Sequence, residues 1–274
     1  MANNSKKKSG VALGKWLPLI FTFGVRLVFA YLFWIRRYAK HPEKKSIEYR
    51  YKKVRALALD LTKRQHLRVK EKGKEYVSSL EGNNLIVCNH LSVMDIVMLI
   101  CYSEKPLIFI AKKEVEQMPF VGKLFQAISG YFLDREDPKQ AVRLFMKVGK
   151  QLRENGGNVV VYPEGTRLKE PFKPTQEFHA GSFKLVEWGQ ANLIRVALFG
   201  TFRPLTKSEH PRSFPIEITF FPPVKYEDMK GKNTQEIAEE SHKLIAEEVA
   251  SFQEFDKDFY AQGLDKKRVE KFRP

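Results

Sequence analysis

Short apolar strands alternate with amphipathic helices from residue 66 onward, and this alternation limits the possible folds more than any other feature. The segment 67–77 is predicted to be a strand that enters a turn, and further strands are predicted at residues 85–88, 106–112, 130–133, 158–163, 193–200 and 216–224. The predicted helices cover residues 92–101, 114–128 with an interruption at Pro119, 138–154, 180–190 and 233–252. This order predicts an α/β domain with a largely parallel central sheet flanked by helices. Because ligands bind such sheets at the carboxyl ends of strands, polar residues that directly follow a strand are the first candidates for a functional site.

A basic and apolar segment precedes this region. Residues 1–50 hold 11 basic and 2 acidic side chains, a net +9 of the formal +16. Residues 16–35 form the most apolar stretch, but Arg26, Pro18 and Gly24 disfavour a simple bilayer span. We therefore expect a helix that lies obliquely in one leaflet, with Arg26 reaching lipid phosphates. A transmembrane anchor is the alternative.

A second amphipathic helix is predicted at residues 46–63. The apolar residues that recur there at helical spacing are Ile47, Tyr51, Val54, Ala58 and Leu61. Together the two helices would form a membrane-associated hairpin, with packing into the domain core as the alternative for the second. The predicted parts of the chain are an N-terminal hairpin at 1–65, an α/β domain at 66–255 and a basic C-terminal tail at 256–274.

Composition excludes several classes of function. The two cysteines, Cys88 and Cys101, lie in apolar runs and cannot form a disulfide framework, so a reducing, intracellular setting is expected. The histidines and cysteines show no metal-binding spacing, and we expect no metal. Neither G-x-S-x-G nor a P-loop motif occurs, which disfavours a serine hydrolase and a P-loop enzyme. Basic charge next to apolar sequence favours a phospholipid surface over nucleic acid as partner.

The strand at 85–88 is followed by Asn89 and His90, and Asp95 lies five residues after His90. If His90 precedes the helix, its turn can fold back so that Asp95 binds one ring nitrogen and leaves the other as a general base. Acyl transfer from a thioester requires such a base for the attacking hydroxyl. The alternative is structural, because Ser92 and Asp95 also fit a helix capping box.

Three blocks in order carry a resemblance to a known family. They are NHLSVMD at 89–95, GYFLDR at 130–135 and YPEGTR at 162–167, and the stretch FIAKKEVEQMPFVGKLF at 109–125 lies between the first two. In residue type, order and spacing the chain resembles the 1-acylglycerol-3-phosphate acyltransferases, also called lysophosphatidic acid acyltransferases, over roughly residues 66–224.

The resemblance implies transfer of a fatty acyl group from acyl-CoA or acyl-carrier protein to the sn-2 hydroxyl of lysophosphatidic acid, giving phosphatidic acid in phospholipid biosynthesis. It implies that His90 is the general base and Asp95 its partner. The implied substrate-binding residues are Lys112, Arg135, Glu164, Gly165, Thr166 and Arg167, with cations for the acceptor phosphate and Glu164 for the glycerol. No cofactor is expected besides the acyl donor, and the expected location is the cytoplasmic face of the cell membrane.

Two features depart from the family pattern. Arg195 stands where the fourth block usually has a proline, and we expect its charge to face the rim of the site or a phosphate. The loop after Arg167 is longer than usual and contains His179, which we interpret as a surface loop histidine. Two alternatives stay open: a related acyltransferase with another lipid acceptor, and a basic membrane-binding module without catalysis.

Overall fold

The computed structural model describes residues 23–78, 80–205, 213–267 and 274. Its strands are β1 (Leu67–Lys72), β2 (Asn83–Cys88), β3 (Leu107–Lys112), β4 (Tyr131–Leu133), β5 (Gly157–Val161), β6 (Asn192–Phe199) and β7 (Phe214–Phe220). Its α-helices are α1 (Val25–Ala30), α2 (Arg36–Lys40), α3 (Ile47–Lys63), α4 (Glu75–Ser78), α5 (Val93–Tyr102), α6 (Val121–Ala127), α7 (Pro138–Asn155), α8 (Lys184–Gly189), α9 (Tyr226–Met229) and α10 (Thr234–Ala261). A π-helical segment, Tyr31–Ile35, joins α1 to α2.

Across the described ranges these strands form a single sheet in the order β1-β7-β6-β2-β5-β3-β4. Strands β6, β2, β5, β3 and β4 run parallel to one another. Strand β7 is antiparallel to β6, and β1 is parallel to β7. The predicted α/β fold with a largely parallel sheet flanked by helices is therefore confirmed. The carboxyl ends of the parallel strands meet at one edge of the sheet, where the polar blocks of the sequence follow them.

Helices cover both faces of the sheet because alternate strand residues are apolar on both sides. In β2, Ile86 and Cys88 belong to one core with residues of α3 and α5. Leu85 and Val87 belong to the second core, with residues of α7, α8 and α10. The near-continuous apolar strands of the sequence are thus explained by burial on two faces.

Helix α3 packs into the first core, since Tyr51, Val54 and Ala58 are buried there. This is the alternative that the sequence left open for the second N-terminal helix. Arg26 of α1 pairs with Asp60 of α3 at 3.3 Å, where we had expected it to reach lipid phosphates. The nearby carboxylate gives this guanidinium a partner within the protein.

Residues 25–40, which we call the N-terminal arm, lie against α6 and bury Ile35 completely. The opposite side of the arm is apolar and exposed, with exposed fractions of 50 to 69% for Val25, Val28, Phe29, Leu32 and Phe33. No helix within the described ranges has both the length and the apolar character that a bilayer crossing requires. Residues 16–22 of the predicted apolar helix lie outside those ranges.

Several predicted boundaries differ from the structure by a few residues. In the segment 67–77, predicted as a strand that enters a turn, the strand ends at Lys72 and Gly73 turns the chain with a positive φ of +73°. Helix α10 continues to Ala261 instead of ending at residue 252. The same face of the helix stays buried across the predicted start of the tail. The buried residues there follow one another at spacings of four and three: Phe252, Asp256 and Phe259.

Candidate active site

His90 and Asp95 are in direct contact at the start of α5. His90 lies in the turn after β2, and its Nδ1 is 2.8 Å from Asp95 Oδ2. The same oxygen accepts the backbone N–H groups of Leu91 at 2.7 Å and Ser92 at 2.8 Å. The capping box is therefore present as well, and one carboxylate performs both functions that the sequence offered as alternatives.

The burial of the two side chains differs in a way that suits a base and its partner. The Asp95 side chain has no exposure, whereas 15% of the His90 side chain is exposed, and it lines a cavity. An ionised carboxylate only accepts hydrogen bonds, so we assign the ring proton to Nδ1. This tautomer leaves Nε2 with a free lone pair to act as a general base.

The YPEGTR block lies beside this pair because β5 is the neighbour of β2 in the sheet. The Tyr162 ring stacks on the His90 ring with centroids 4.0 Å apart. The His90 backbone N–H donates to Glu164 Oε1 at 2.8 Å, and the Leu168 N–H donates to the His90 carbonyl at 2.9 Å. The first and third blocks of the sequence are thus joined by both backbone and side-chain contacts.

Glu164 is 4% exposed and lines the cavity while its oxygens bind protein groups. Its Oε2 accepts the backbone N–H of Gln176 at 3.4 Å and the Gln176 side-chain amide at 3.3 Å. Burial raises the pKa of Glu164 to about 7, although the hydrogen bonds from His90 and Gln176 favour the charged form. Here Glu164 ties the turn at His90 to the long loop; contact with an acceptor glycerol stays a prediction.

The three predicted cations all line the same cavity, at the ends of neighbouring strands. Lys112 is paired with Glu114 at 2.7 Å. Asp134, the residue before Arg135, binds Lys113 at 2.6 Å. Within the described ranges neither Arg135 nor Arg167 forms an ion pair, and both side chains are exposed. These two guanidinium groups are therefore available to an anionic ligand.

The cavity has a volume of about 860 Å³, within the range of sites that hold drug-sized ligands. Its apolar wall includes Val93, Ile96, Phe109, Val121, Phe125 and Phe145. The polar wall carries His90 and the cations. The site thus combines an apolar chamber, a base and an anion-binding rim, which suits an amphiphile with a hydroxyl and a phosphate.

Gly165 and Thr166 also line the cavity, in the turn after β5. Gly165 has a φ of +72°, and a Cβ there would lie 3.2 Å from the His179 ring, so the turn favours glycine. His179 is exposed and lines the cavity too.

Arg195 does not line the cavity, so our expectation for it was wrong. It lies on the same face of β6 as Leu193 and Ala197, whose side chains belong to the second core, and therefore points to the α10 side of the sheet. Its Nε is buried and has no hydrogen-bond partner among the described residues.

Thr201 contacts Asp95 and Gln176 contacts Glu164, and the sequence did not predict either contact. The Thr201 hydroxyl donates to Asp95 Oδ1, and Thr201 is fully buried. Thr201 stands shortly after the end of β6, so the rule that polar residues follow strands could have found it. Within the described ranges no group of three or more His, Cys, Asp or Glu side chains is placed to hold a metal.

The sequence model of the Acyltransferase family matches residues 68–198, which contain the His90–Asp95 pair and the strand ends around the cavity, and this match places the chain in the acyltransferase class. The chain is 30% identical over 174 residues to a Helicobacter pylori 1-acyl-sn-glycerol-3-phosphate acyltransferase, covering 60% of this chain and 73% of the relative. It belongs to the 1-acyl-sn-glycerol-3-phosphate acyltransferase family, and the resemblance predicted from the blocks is confirmed.

Other matches agree with this assignment. A coconut (Cocos nucifera) protein of the same name is 26% identical over 186 residues, which cover 66% of this chain and 58% of that protein. The crystal structure of the 1-acyl-sn-glycerophosphate (LPA) acyltransferase PlsC from Thermotoga maritima has a TM-score of 0.63 at 21% identity, covering 87% of this chain and 92% of that one. The likeness to the Thermotoga protein is one of fold.

Proposed function

We propose that this protein transfers a fatty acyl group from an acyl thioester, acyl-CoA or acyl-carrier protein, to the sn-2 hydroxyl of lysophosphatidic acid. The product would be phosphatidic acid, an intermediate of phospholipid biosynthesis. The observation that carries the proposal is the His90–Asp95 pair, held at 2.8 Å in the wall of an apolar cavity of about 860 Å³. The names of the relatives support the choice of acceptor.

The proposed reaction begins with proton transfer from the acceptor hydroxyl to His90 Nε2. The hydroxyl oxygen attacks the thioester carbonyl and forms a tetrahedral intermediate. Its collapse breaks the carbon–sulfur bond, and the thiolate that leaves takes the proton from the imidazolium. Asp95 stabilises the imidazolium between these two transfers, so no covalent acyl-enzyme is required.

Charge and shape support the assignment of the acceptor. Arg135 and Arg167 are unpaired within the described ranges and would bind the acceptor phosphate, with Lys112 as a weaker contributor because it is already paired with Glu114. The apolar wall would take a fatty acyl chain. Other lysophospholipids differ from lysophosphatidic acid at the phosphate. An assay of thiol release with each acceptor in turn therefore distinguishes lysophosphatidic acid from these alternatives.

The exposed apolar side of the N-terminal arm supports a membrane location. Phe29 and Phe33 stack on each other and are 57 and 69% exposed, in a part of the chain that is strongly basic. Such a surface binds anionic phospholipid. We propose that the arm holds the enzyme on the cytoplasmic face of the cell membrane, where both amphiphilic substrates reside.

The test is release of free thiol from palmitoyl-CoA in detergent micelles that contain lysophosphatidic acid, repeated with acyl-carrier protein as donor. We expect acceptor-dependent release by the parent and a loss of at least about 100-fold for His90→Ala. His41→Ala, which changes an exposed histidine outside the cavity, is the control. No release with either donor, or full activity of a folded His90→Ala variant, would contradict the proposal.

A further inference from the structure

The Asp95 carboxylate is held differently at its two oxygens. Its Oδ2 accepts three donors, namely His90 Nδ1 and the N–H groups of Leu91 and Ser92, all within five residues of Asp95. Its Oδ1 accepts the hydroxyl of Thr201, which lies 106 residues away in sequence. Because Asp95 and Thr201 have no exposure, water does not substitute for that hydroxyl.

We propose that Thr201 is a positioning residue for the reaction, acting through Asp95 on His90. Rotation about the Cβ–Cγ bond moves both carboxylate oxygens together. The Thr201 hydroxyl holds Oδ1 from the other side of the carboxylate and adds to the restraint at Oδ2, so that Oδ2 stays in line with Nδ1–H. This keeps the His90 proton on Nδ1 and the lone pair on Nε2, the tautomer that a general base requires.

The position of Thr201 is set by contacts on both sides of β6. The Asn89 side chain donates to the Leu198 carbonyl at 2.9 Å and accepts the Leu198 N–H at 2.8 Å, which joins the ends of β2 and β6. Gly200 has a φ of +84°, and a Cβ there would lie 2.2 Å from the Pro215 carbonyl of β7. The chain therefore makes a tight turn that only glycine allows, and this turn returns Thr201 to Asp95.

These contacts give Asn89 a function as well. Its side-chain amide forms two hydrogen bonds with Leu198 and so fixes the strand end from which Thr201 projects. Only the kinetic part of this inference rests on the proposed function, because the tautomer of His90 can be measured without turnover.

The test compares Thr201→Val, which removes the hydroxyl at similar volume, with Thr201→Ser, which keeps it. We expect Thr201→Val to lower kcat by about 10- to 100-fold with little change in the KM for lysophosphatidic acid, and Thr201→Ser to stay within about 3-fold of the parent. Thr201→Ala is the second hydroxyl-free variant if valine prevents folding.

The second readout is the ¹⁵N spectrum of the His90 ring in histidine-labelled protein, assigned with the His90→Ala variant. We expect a single Nδ1–H tautomer in the parent and the serine variant, and a mixture of tautomers in the valine or alanine variant. A purely structural role would lower the melting temperature without moving this spectrum.

A folded hydroxyl-free variant with parental kcat and tautomer would overturn the proposal, as would a folded Thr201→Ser variant with the defect expected of valine. An inactive parent would reject the proposed function, while the spectra would still decide the role of Thr201.

Discussion

At the scale of single residues, the site divides into groups whose hydrogen bonds are complete and groups that are left open. Asp95 has both oxygens occupied, and Glu164 is bound by His90 and Gln176. Arg135 and Arg167 line the cavity without an ion-pair partner within the described ranges. In the proposed reaction the first kind of group would orient His90, and the second kind would bind an anionic substrate.

The two arginines should therefore determine affinity for the acceptor phosphate. We expect Arg135→Gln and Arg167→Gln each to raise the KM for lysophosphatidic acid by about 10- to 100-fold with a smaller change in kcat, because a charge-assisted hydrogen bond is worth about 1.5–3 kcal/mol. Initial rates at varied acceptor concentration measure this. Lys112→Gln should have less effect because Lys112 is paired with Glu114.

Arg143→Gln is the matched control, since Arg143 is exposed on α7 and does not line the cavity. An acceptor without a phosphate, such as monoacylglycerol, should be used equally poorly by the parent and both variants. Unchanged KM values in the two cavity variants would show that the phosphate binds elsewhere.

At the scale of elements, the two N-terminal helices have different environments although both look amphipathic. Helix α3 packs against α5 and buries Tyr51 and Val54 in the first core, so its apolar stripe is used inside the protein. The N-terminal arm buries Ile35 against α6 but leaves Phe29 and Phe33 exposed on the other side. An apolar surface of this kind is characteristic of interaction with a membrane or a partner.

Replacing both exposed phenylalanines should weaken membrane binding without impairing chemistry. We expect the Phe29→Ser, Phe33→Ser double variant to bind phosphatidylglycerol vesicles at least about 10-fold more weakly in a sedimentation assay, since burying one phenylalanine contributes about 1.5–3 kcal/mol. Activity in detergent micelles should remain. Met146→Ser, at a 55% exposed position on α7, is the control. Equal vesicle binding by parent and double variant would contradict a membrane role for the arm.

At the scale of the whole molecule, the order of the strands brings the site residues together, and α10 packs on the second core. Neighbouring strands β2, β5 and β3 bring His90, Glu164 and Lys112 to one edge. Strand β7 lies on the other side of β6 from these three strands and carries Glu217. Glu217 is fully buried and has no hydrogen-bond partner among the described residues. A buried carboxylate without donors makes the stability of the molecule depend on pH.

Burial and the nearby Asp256 together raise the pKa of Glu217 to about 8, although Arg203 and Lys70 lower it. Between pH 4.5 and 8 the folded protein keeps a proton that the unfolded chain has lost, so this group lowers stability as pH rises through that window. We expect Glu217→Gln to be increasingly more stable than the parent from pH 5 to 8, by at most about 1.4 kcal/mol per pH unit.

Urea unfolding of both proteins at pH 5, 6.5, 8 and 9 measures this difference. Glu247→Gln, at an exposed position of α10, should give a curve parallel to that of the parent. Glu164, whose pKa is also raised, is present in all three proteins and cancels in the comparison. A constant difference between Glu217→Gln and the parent across this range would show that Glu217 is ionised throughout.

Much of the site could be predicted because its residues are consecutive in sequence. His90 and Asp95 are separated by one turn, and Tyr162 to Arg167 form a single strand end, so residue type and spacing were enough to identify them. The helices were less predictable at their ends. Asp256 and Phe259 lie in a charged region that resembles a tail, and only packing on the second core shows that the helix continues through it.

The sequence by itself determined the fold class, the family and the contact between His90 and Asp95, because hydrophobic period and local spacing are properties of neighbouring residues. It left undecided which surface each amphipathic helix faces. The tertiary structure alone placed α3 in the core, paired Arg26 with Asp60, turned Arg195 away from the cavity and brought Thr201 to Asp95. The physical reason is strand order: contacts across 106 residues depend on which strands are neighbours, and local periodicity carries no information about that order.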